Sequence, residues 1–473
     1  MSVFISYSWK DKKPVDEIAN TLSFSGVKFI LDSRDFKYLQ SIREFMKQIS
    51  KSDYVILVIS REYLQSVNCM YEVLELLKSE NFKTRIFPII IENANIFDAG
   101  GKLYYLKYWE GKIKQLNHDI KELDNIANTK SVQENIDIYT EIRNSIDEFC
   151  SIIADKKCPT VNELKDLKYS PFFEFIKFKD TDIIKEVVEV WQIEDIEEQD
   201  ICLDKLSRKY PLNEHFLFIS GFINMQKGNF KKSKYFFEEL LEKYPDHFEG
   251  HNNLGVLLVS QFNDIESAKM HYLKANSINP ENVGALINLS NVYYHFDKNI
   301  NEAIKSLQKA LKIEPLNSEV NLNMAVILEI EITEYASAKT FYENSLINAK
   351  DAEPYIKFSN FLFMRLSDIV SAIKYSNMAL EMEPNNPTCY LNHANILSEN
   401  KPNISSAIKF YKKAIELKPD YAEAHYNLAA AYISSEIKLI YDAKKHYNIA
   451  INLNPKFEHK EYNDYFNKML PHI

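Results

Sequence analysis

Ser60-Arg61-Glu62-Tyr63-Leu64-Gln65-Ser66-Val67-Asn68-Cys69-Met70-Tyr71-Glu72 is the stretch around which the chain is organised. Directly before it, residues 53–59 (D-Y-V-I-L-V-I) form an apolar, β-branched run too short for a membrane span, the pattern of a buried parallel strand. Residues 69–79 then space their apolar side chains as a helix does. A strand that feeds a helix through a polar loop sets that loop at the carboxyl edge of an open α/β sheet, where such sheets bind ligands. Ser66, Cys69 and Glu72 recur every three residues, hence near one helix face, and a carboxylate there can meet a small molecule. The competing reading of Glu72 is a solvated glutamate near a helix N-terminus, favoured by the helix dipole.

Outward from this stretch, strands alternate with amphipathic helices. Residues 3–8 read as a strand, 14–24 as a helix ended by Gly26, and 27–31 as a second strand. A polar loop over 32–40 leads into a helix through 51. Residues 85–91 (R-I-F-P-I-I-I) predict a fourth strand, 103–109 a short fifth, and 133–153 a long closing helix. This alternation means a parallel sheet with helices on both faces, a flavodoxin-like α/β domain over residues 1–155. No Gly-x-Gly-x-x-Gly follows the first strand and no Walker lysine is present, so the common phosphate cradles are missing.

The 473 residues suffice for two or three domains, and 46% hydrophobic with 26% charged residues is ordinary for a globular protein. A net charge of −10 argues against a general nucleic-acid grip. Five scattered cysteines without metal spacing read as reduced thiols. The chain enters a strand at once, leaving no room for a signal peptide, and no apolar run reaches bilayer length, so the expectation is a cytoplasmic protein without membrane contact. Cys69 has no nearby histidine in sequence, which makes a buried structural thiol the simpler reading than a nucleophile. Residues 156–203, with the aromatic run S-P-F-F-E-F at 170–175, are too apolar for a flexible linker and predict a helical connector that packs between its neighbours.

From residue 204 the chain repeats itself. A small-residue column runs through Gly221, Gly255, Ser290, Ala325, Ser359, Ala394 and Ala429, spaced by 34 or 35 residues. A second runs through Ser233, Ala268, Ala303, Ala338, Ala372, Ala407 and Ala443, and four residues after each stands a mostly aromatic column that includes Phe237, Tyr272, Tyr342, Tyr411 and Tyr447. Pro245, Pro280, Pro315, Pro384, Pro419 and Pro455 end the units, with Lys350 in the one exception. Paired helices that approach closely at small residues, with large ones filling gaps, give an all-α solenoid over 204–457, closed by a capping helix over 458–473. Asn253, Asn288, Asn323, Asn392 and Asn427 hold one register position although asparagine is a poor helix residue. Such amides can grip an extended peptide backbone, each offering donor and acceptor. Helix capping or the chain's asparagine-rich composition is the alternative, and Asn291, Asn360 and Asn395 keep it open.

Phe4-Ile5-Ser6-Tyr7-Ser8, the Leu31-Asp32 strand end, the strand over 53–59 and Ser66-x-x-Cys69-x-x-Glu72 together resemble a Toll/interleukin-1 receptor (TIR) domain. The resemblance implies cleavage of NAD+ at the nicotinamide bond, with NAD+ as substrate, no cofactor and no metal. It sets the catalytic glutamate at Glu72 and the nucleotide-lining positions at Tyr7, Ser8, Asp32, Phe36 and Asn68. A carboxylate facing an oxocarbenium-like transition state suits that chemistry. Two positions depart from the catalytic pattern: Asn68 stands where a Trp is common, and Leu39 where a loop Gly is common. The repeats resemble the tetratricopeptide repeat (TPR), in seven copies, and the asparagine column resembles the peptide-gripping ladder of a glycosyltransferase's TPR region. Together these imply a TIR NAD+ glycohydrolase or cyclase, controlled by a TPR array that binds a polypeptide or drives self-assembly, with TIR–TIR association and a role in prokaryotic immunity. The other reading is a non-enzymatic TIR–TPR scaffold.

Overall fold

A computed structural model describes residues 3–24, 27, 29–31, 52–79, 81–122, 129–156, 158–347, 349–399, 403–435 and 439–469. They fall into two compact units, Met1–Ile278 and Asn279–Ile473.

The first unit opens with β1 (Val3–Tyr7), α1 (Lys12–Phe24), β2 (Phe29–Leu31) and β3 (Tyr54–Ile59), followed by α2 (Arg61–Gln65), α3 (Val67–Leu77) and β4 (Ile86–Ile90). The four strands are parallel, in the order β2-β1-β3-β4. The order reverses between β1 and β3, which puts the topological switch point there. Val55 through Ile59 are all buried, so both faces of β3 are covered, and this is why its sequence lacks strand alternation. On one face Phe4, Val55, Leu57 and Ile59 share a core with Met70, Val73 and Leu74 of α3 and with residues of α4 (Ala99–Lys121) and α5 (Lys130–Ala154). Of the predicted elements here, Gly26 and the loop and helix over 32–51 lie outside the described residues.

The predicted fifth strand over 103–109 is instead the middle of α4. Asp98 caps this helix, accepting a 2.7 Å hydrogen bond from Gly101 N–H. Within the stretch Tyr105 and Trp109 are buried while Leu103 and Tyr104 are exposed. That is an i, i+4 pattern, and the aromatic richness that suggested a strand belongs to one helix face plus two exposed residues. Gly101 is required where it stands, because a Cβ there would lie 1.7 Å from the Asn95 carbonyl oxygen.

The connector continues the sheet. Ile90 N–H donates to Pro159 O at 3.0 Å and Ile90 pairs with Thr160 in a parallel bridge. Next come α6 (Val161–Asp166), α7 (Ser170–Phe175), α8 (Thr181–Gln192) and α9 (Ile196–Lys209). The rings of Phe172 and Phe175 each stand 5.4 Å from that of Phe87 on β4, and Phe175 stands 5.4 Å from Tyr54 on β3. Lys165 of α6 pairs with Glu17 of α1, and Trp191 of α8 packs against Phe222 with ring centroids 5.5 Å apart.

Two helical hairpins complete this unit, α10 (Glu214–Gln226) with α11 (Phe230–Lys243) and α12 (Phe248–Leu257) with α13 (Ile265–Ile278). The columns acquire a steric meaning here. A Cβ on Gly221 would meet the Phe237 ring at 2.7 Å, and one on Gly255 the Tyr272 ring at 2.6 Å, so the small position is the seat of the aromatic one in the same hairpin.

The second unit holds five more hairpins among the described residues. They are α14 (Val283–His295) with α15 (Ile300–Ile313), α16 (Ser318–Ile327) with α17 (Tyr335–Ile347), and α18 (Glu353–Leu366) with α19 (Ile369–Met382). After these come α20 (Pro387–Ser398) with α21 (Ile404–Leu417), and α22 (Ala422–Ser434) with α23 (Ile440–Leu453). A last helix, α24 (Lys460–Met469), buries Phe466 5.5 Å from the Tyr447 ring. In both units a polar side chain on the first helix bonds the turn-proline carbonyl: His251 to Pro245 at 3.0 Å, Asn321 to Pro315 at 2.9 Å, Tyr390 to Pro384 at 3.0 Å and His425 to Pro419 at 3.0 Å. These carbonyls fall where the chain leaves a helix and would otherwise lack donors.

Candidate functional site

The site is built on the C-terminal half of β1 and the face of α3 that lies along it. Ser60 ends β3 and caps α2, accepting from Tyr63 N–H at 2.9 Å, and Ser66 caps α3, accepting from Cys69 N–H at 3.4 Å. The stretch read as a polar loop is thus the short helix α2, the Ser66 cap and the first two residues of α3. With α3 so started, Cys69 donates its thiol proton to Tyr7 O at 3.5 Å, and Glu72, one turn on, accepts from Ser6 Oγ at 2.7 Å. Residues three apart on α3 therefore meet adjacent residues of β1.

Glu72 is 1% exposed. A solvated first-turn glutamate is ruled out for this conformation, and so is an open carboxylate at the sheet edge. Ser6 Oγ lies 2.8 Å from Tyr63 OH as well. Ser6 has one proton and gives it to Glu72, so Tyr63 donates to Ser6, and a relay Tyr63→Ser6→Glu72 runs through the core.

A second buried carboxylate sits nearby in sequence order. Asp11, in the short turn after β1, accepts from Ser60 Oγ at 2.5 Å, and Ser60 thus ties the ends of β1 and β3 together. Burial, aided by the neighbouring Glu62 charge, pushes the Asp11 carboxyl up to about 6 against the lowering effect of Ser60.

Of the predicted nucleotide-lining residues, Tyr7 is half-buried at the end of β1, Ser8 is buried just beyond it, and Asn68 is exposed in the first turn of α3. Asp32 and Phe36, like Leu39, lie outside the described residues. Ser6, Tyr63 and Asp11 were not singled out from sequence. The available signal was Ser6 itself, a polar residue inside the buried strand V-F-I-S-Y.

In the helical repeats the asparagine column makes bonds between neighbouring hairpins. Asn323 Nδ2 donates to Asn291 Oδ1 at 3.2 Å, Asn392 Nδ2 to Ser359 Oγ at 2.8 Å and Asn427 Nδ2 to Asn395 Oδ1 at 2.9 Å. Each bond links a first helix to the first helix of the preceding hairpin, which accounts for asparagine in these helix interiors. Asn253 and Asn288 are half-buried. One Nδ2 proton of Asn323, Asn392 and Asn427 remains beyond these bonds.

Comparison with known proteins finds two kinds of family along the chain. The family model described as TIR domain matches residues 3–123, and models described as TPR repeat or tetratricopeptide repeat match residues 216–247, 283–315 and 403–434. Among solved structures, a functional characterisation of Pseudomonas aeruginosa pilF gives 18% identity and TM-score 0.40, covering 47% of this chain and 97% of that one. A tetratricopeptide repeat protein from Parabacteroides merdae gives 16% identity and TM-score 0.40, covering 54% and 98%. The APC/C hetero-tetramer Cut9–Hcn1 gives 15% identity and TM-score 0.42, covering 92% and 88%. No helix among the described residues is long and apolar enough to cross a membrane.

Proposed function

We propose that this chain, which joins a TIR domain to tetratricopeptide repeats, cleaves the N-glycosidic bond of NAD+ with Glu72 as the catalytic carboxylate, under control of the repeats. The observation that carries this reading is the state of Glu72: buried, and held by the Tyr63→Ser6 relay at the end of β1. Keeping a carboxylate in a core costs several kcal/mol unless hydrogen bonds offset it, and a group held at such cost at a sheet's carboxyl edge is a candidate for function.

The chemistry follows from that group. Nicotinamide leaves as a neutral base from a cationic precursor, so the bond breaks toward a ribosyl cation. A fixed carboxylate beside the ribose stabilises that cation more than the ground state. Water, or an atom of the same nucleotide in a cyclising reaction, then captures it. Tyr7, Ser8, Asp32, Phe36 and Asn68 are the residues assigned to the nucleotide.

At 1% exposure Glu72 meets no substrate in the closed single chain. Opening is therefore part of the proposal, and association of TIR domains, driven by a polypeptide bound to the repeats, is the event assigned to it. The biological setting is the cytoplasm of a prokaryote under phage attack. The same closure favours a second reading, a non-enzymatic scaffold in which Glu72 is structural.

The test is nicotinamide release from NAD+ by the full chain and its Glu72→Gln variant, each free in solution and crowded on beads. Release from crowded wild type, lost in the variant, supports the enzyme. Absence of release under crowding leaves the scaffold.

A further inference from the structure

The second unit carries a cavity of about 540 Å³ along the first helices α18, α20 and α22. Four carboxylates (Asp351, Glu353, Glu383 and Glu423) face it against one ammonium, Lys357. Neither Glu353, Glu423 nor Lys357 makes an ion pair among the described residues, although other acidic and basic side chains of this unit do, as in Arg365–Glu329 and Lys413–Glu416. Glu383 is committed structurally, accepting from Ala352 N–H at 2.9 Å and from Asn386 Nδ2 at 2.6 Å, bonds that hold its carboxyl low and ionised. Glu319, on the neighbouring helix, has its carboxyl raised by burial and by the charges of Glu353 and Asp351. The cavity thus carries an excess of negative charge.

Its wall also holds hydrogen-bonding groups left over from the asparagine bonds. Asn392 is 5% exposed and its Nδ2 donates to Ser359, while its amide oxygen has no partner among the described residues. Asn395 uses its oxygen twice, accepting from Tyr411 OH at 2.8 Å and from Asn427 at 2.9 Å, so its NH2 group is what it has to offer. An acceptor and a donor one helical turn apart match the N–H and C=O of an extended backbone, and the carboxylates match a cationic side chain.

We propose that this cavity binds an extended polypeptide through a lysine or arginine side chain, the amides of Asn392 and Asn395 taking its backbone. This deepens the reading of the repeats as a polypeptide receptor. It is measured by binding rather than by nicotinamide release, so it can fail while the enzyme reading stands.

The probe is a fluorescein-labelled Gly-Ser decapeptide with two central arginines, titrated with the full chain by anisotropy beside its glutamine and glutamate counterparts. The variants are Glu353→Gln with Glu423→Gln, Lys357→Met, and a control pair, Glu343→Gln with Glu416→Gln, away from the cavity. All of these side chains are exposed, so the variants keep the fold. The expected result is binding of the arginine peptide at least tenfold tighter than of the other two. A tenfold loss in the Glu353/Glu423 pair and a gain in Lys357→Met should accompany it. Equal binding of the three peptides, no binding of the arginine peptide, or the same loss in the control pair would overturn the proposal.

Discussion

His425 and His446 meet Nδ1 to Nδ1 at 2.8 Å, while His425 Nε2 stands 3.0 Å from Pro419 O. A carbonyl only accepts, so His425 carries its proton on Nε2 and its Nδ1 must take the proton of His446 Nδ1. His251, His271 and Pro245 repeat the arrangement in the first unit, with the same 2.8 and 3.0 Å spacings. Two charged rings cannot both donate across that gap. Burial, then His425 and the lysines Lys445 and Lys412, opposed by Asp442, push His446 down to about 4 from 6.5.

The sign of the resulting pH dependence is fixed. Between 6.5 and about 4 the unfolded chain binds the proton more readily, so the contribution is complete above the upper value and is lost as pH falls through the window. Thermal melts of the full chain and of His446→Gln at pH 7 and pH 5 isolate this contribution, which lowers the wild-type midpoint at pH 5 relative to the variant's.

Ser6→Ala removes the donor that faces Glu72 and leaves a buried carboxylate short of a hydrogen bond. The expected cost is about 1–3 kcal/mol, seen as a lower urea midpoint at unchanged slope. Nicotinamide release should fall with it, whereas Tyr63→Phe, one bond further from the carboxylate, should have the smaller effect on both.

Two glycine-to-alanine changes in helices should differ in sign. Apart from its own helix backbone, no atom among the described residues would lie within 4 Å of a Cβ on Gly111, so Gly111→Ala gains helix propensity, about 0.5–1 kcal/mol. Gly255→Ala drives a methyl to 2.6 Å from the buried Tyr272 ring and should lose about 1–3 kcal/mol net. Urea unfolding of the two variants beside wild type checks both.

Asp11 titrates opposite to the histidines. Its carboxyl is raised from 3.8 to about 6, so the folded state binds the proton more readily, and stability is lost as pH rises through that interval. Asp11→Asn, which still accepts from Ser60, should raise the urea midpoint at pH 7 and leave it unchanged near pH 4.

The sheet was legible because β3 is buried on both faces, and a run such as D-Y-V-I-L-V-I has few other uses. The repeats were legible because Gly221 and Gly255 seat rings that recur in register, a constraint that steric exclusion writes directly into sequence. Residues 103–109 read as a strand because aromatic content resembles strand preference, while the cap at Asp98 and the spacing of Tyr105 and Trp109 carry the true period. Spacing put Cys69 and Glu72 on one helix face but could not say that this face lies against Tyr7 and Ser6. That depends on a contact between residues 66 apart. For the same reason the asparagines revealed their column and not their partners in the next hairpin.

The bridge from Ile90 to Thr160 has a practical consequence. A fragment cut at residue 155 would leave the N–H of Ile90 without its acceptor and bare the Phe87 and Tyr54 rings now covered by Phe172 and Phe175. An unpaired parallel edge flanked by exposed aromatics is an invitation to aggregate. Silence from such a fragment would report a damaged sheet rather than the absence of catalysis. The smallest piece worth assaying therefore keeps α6 to α8 attached.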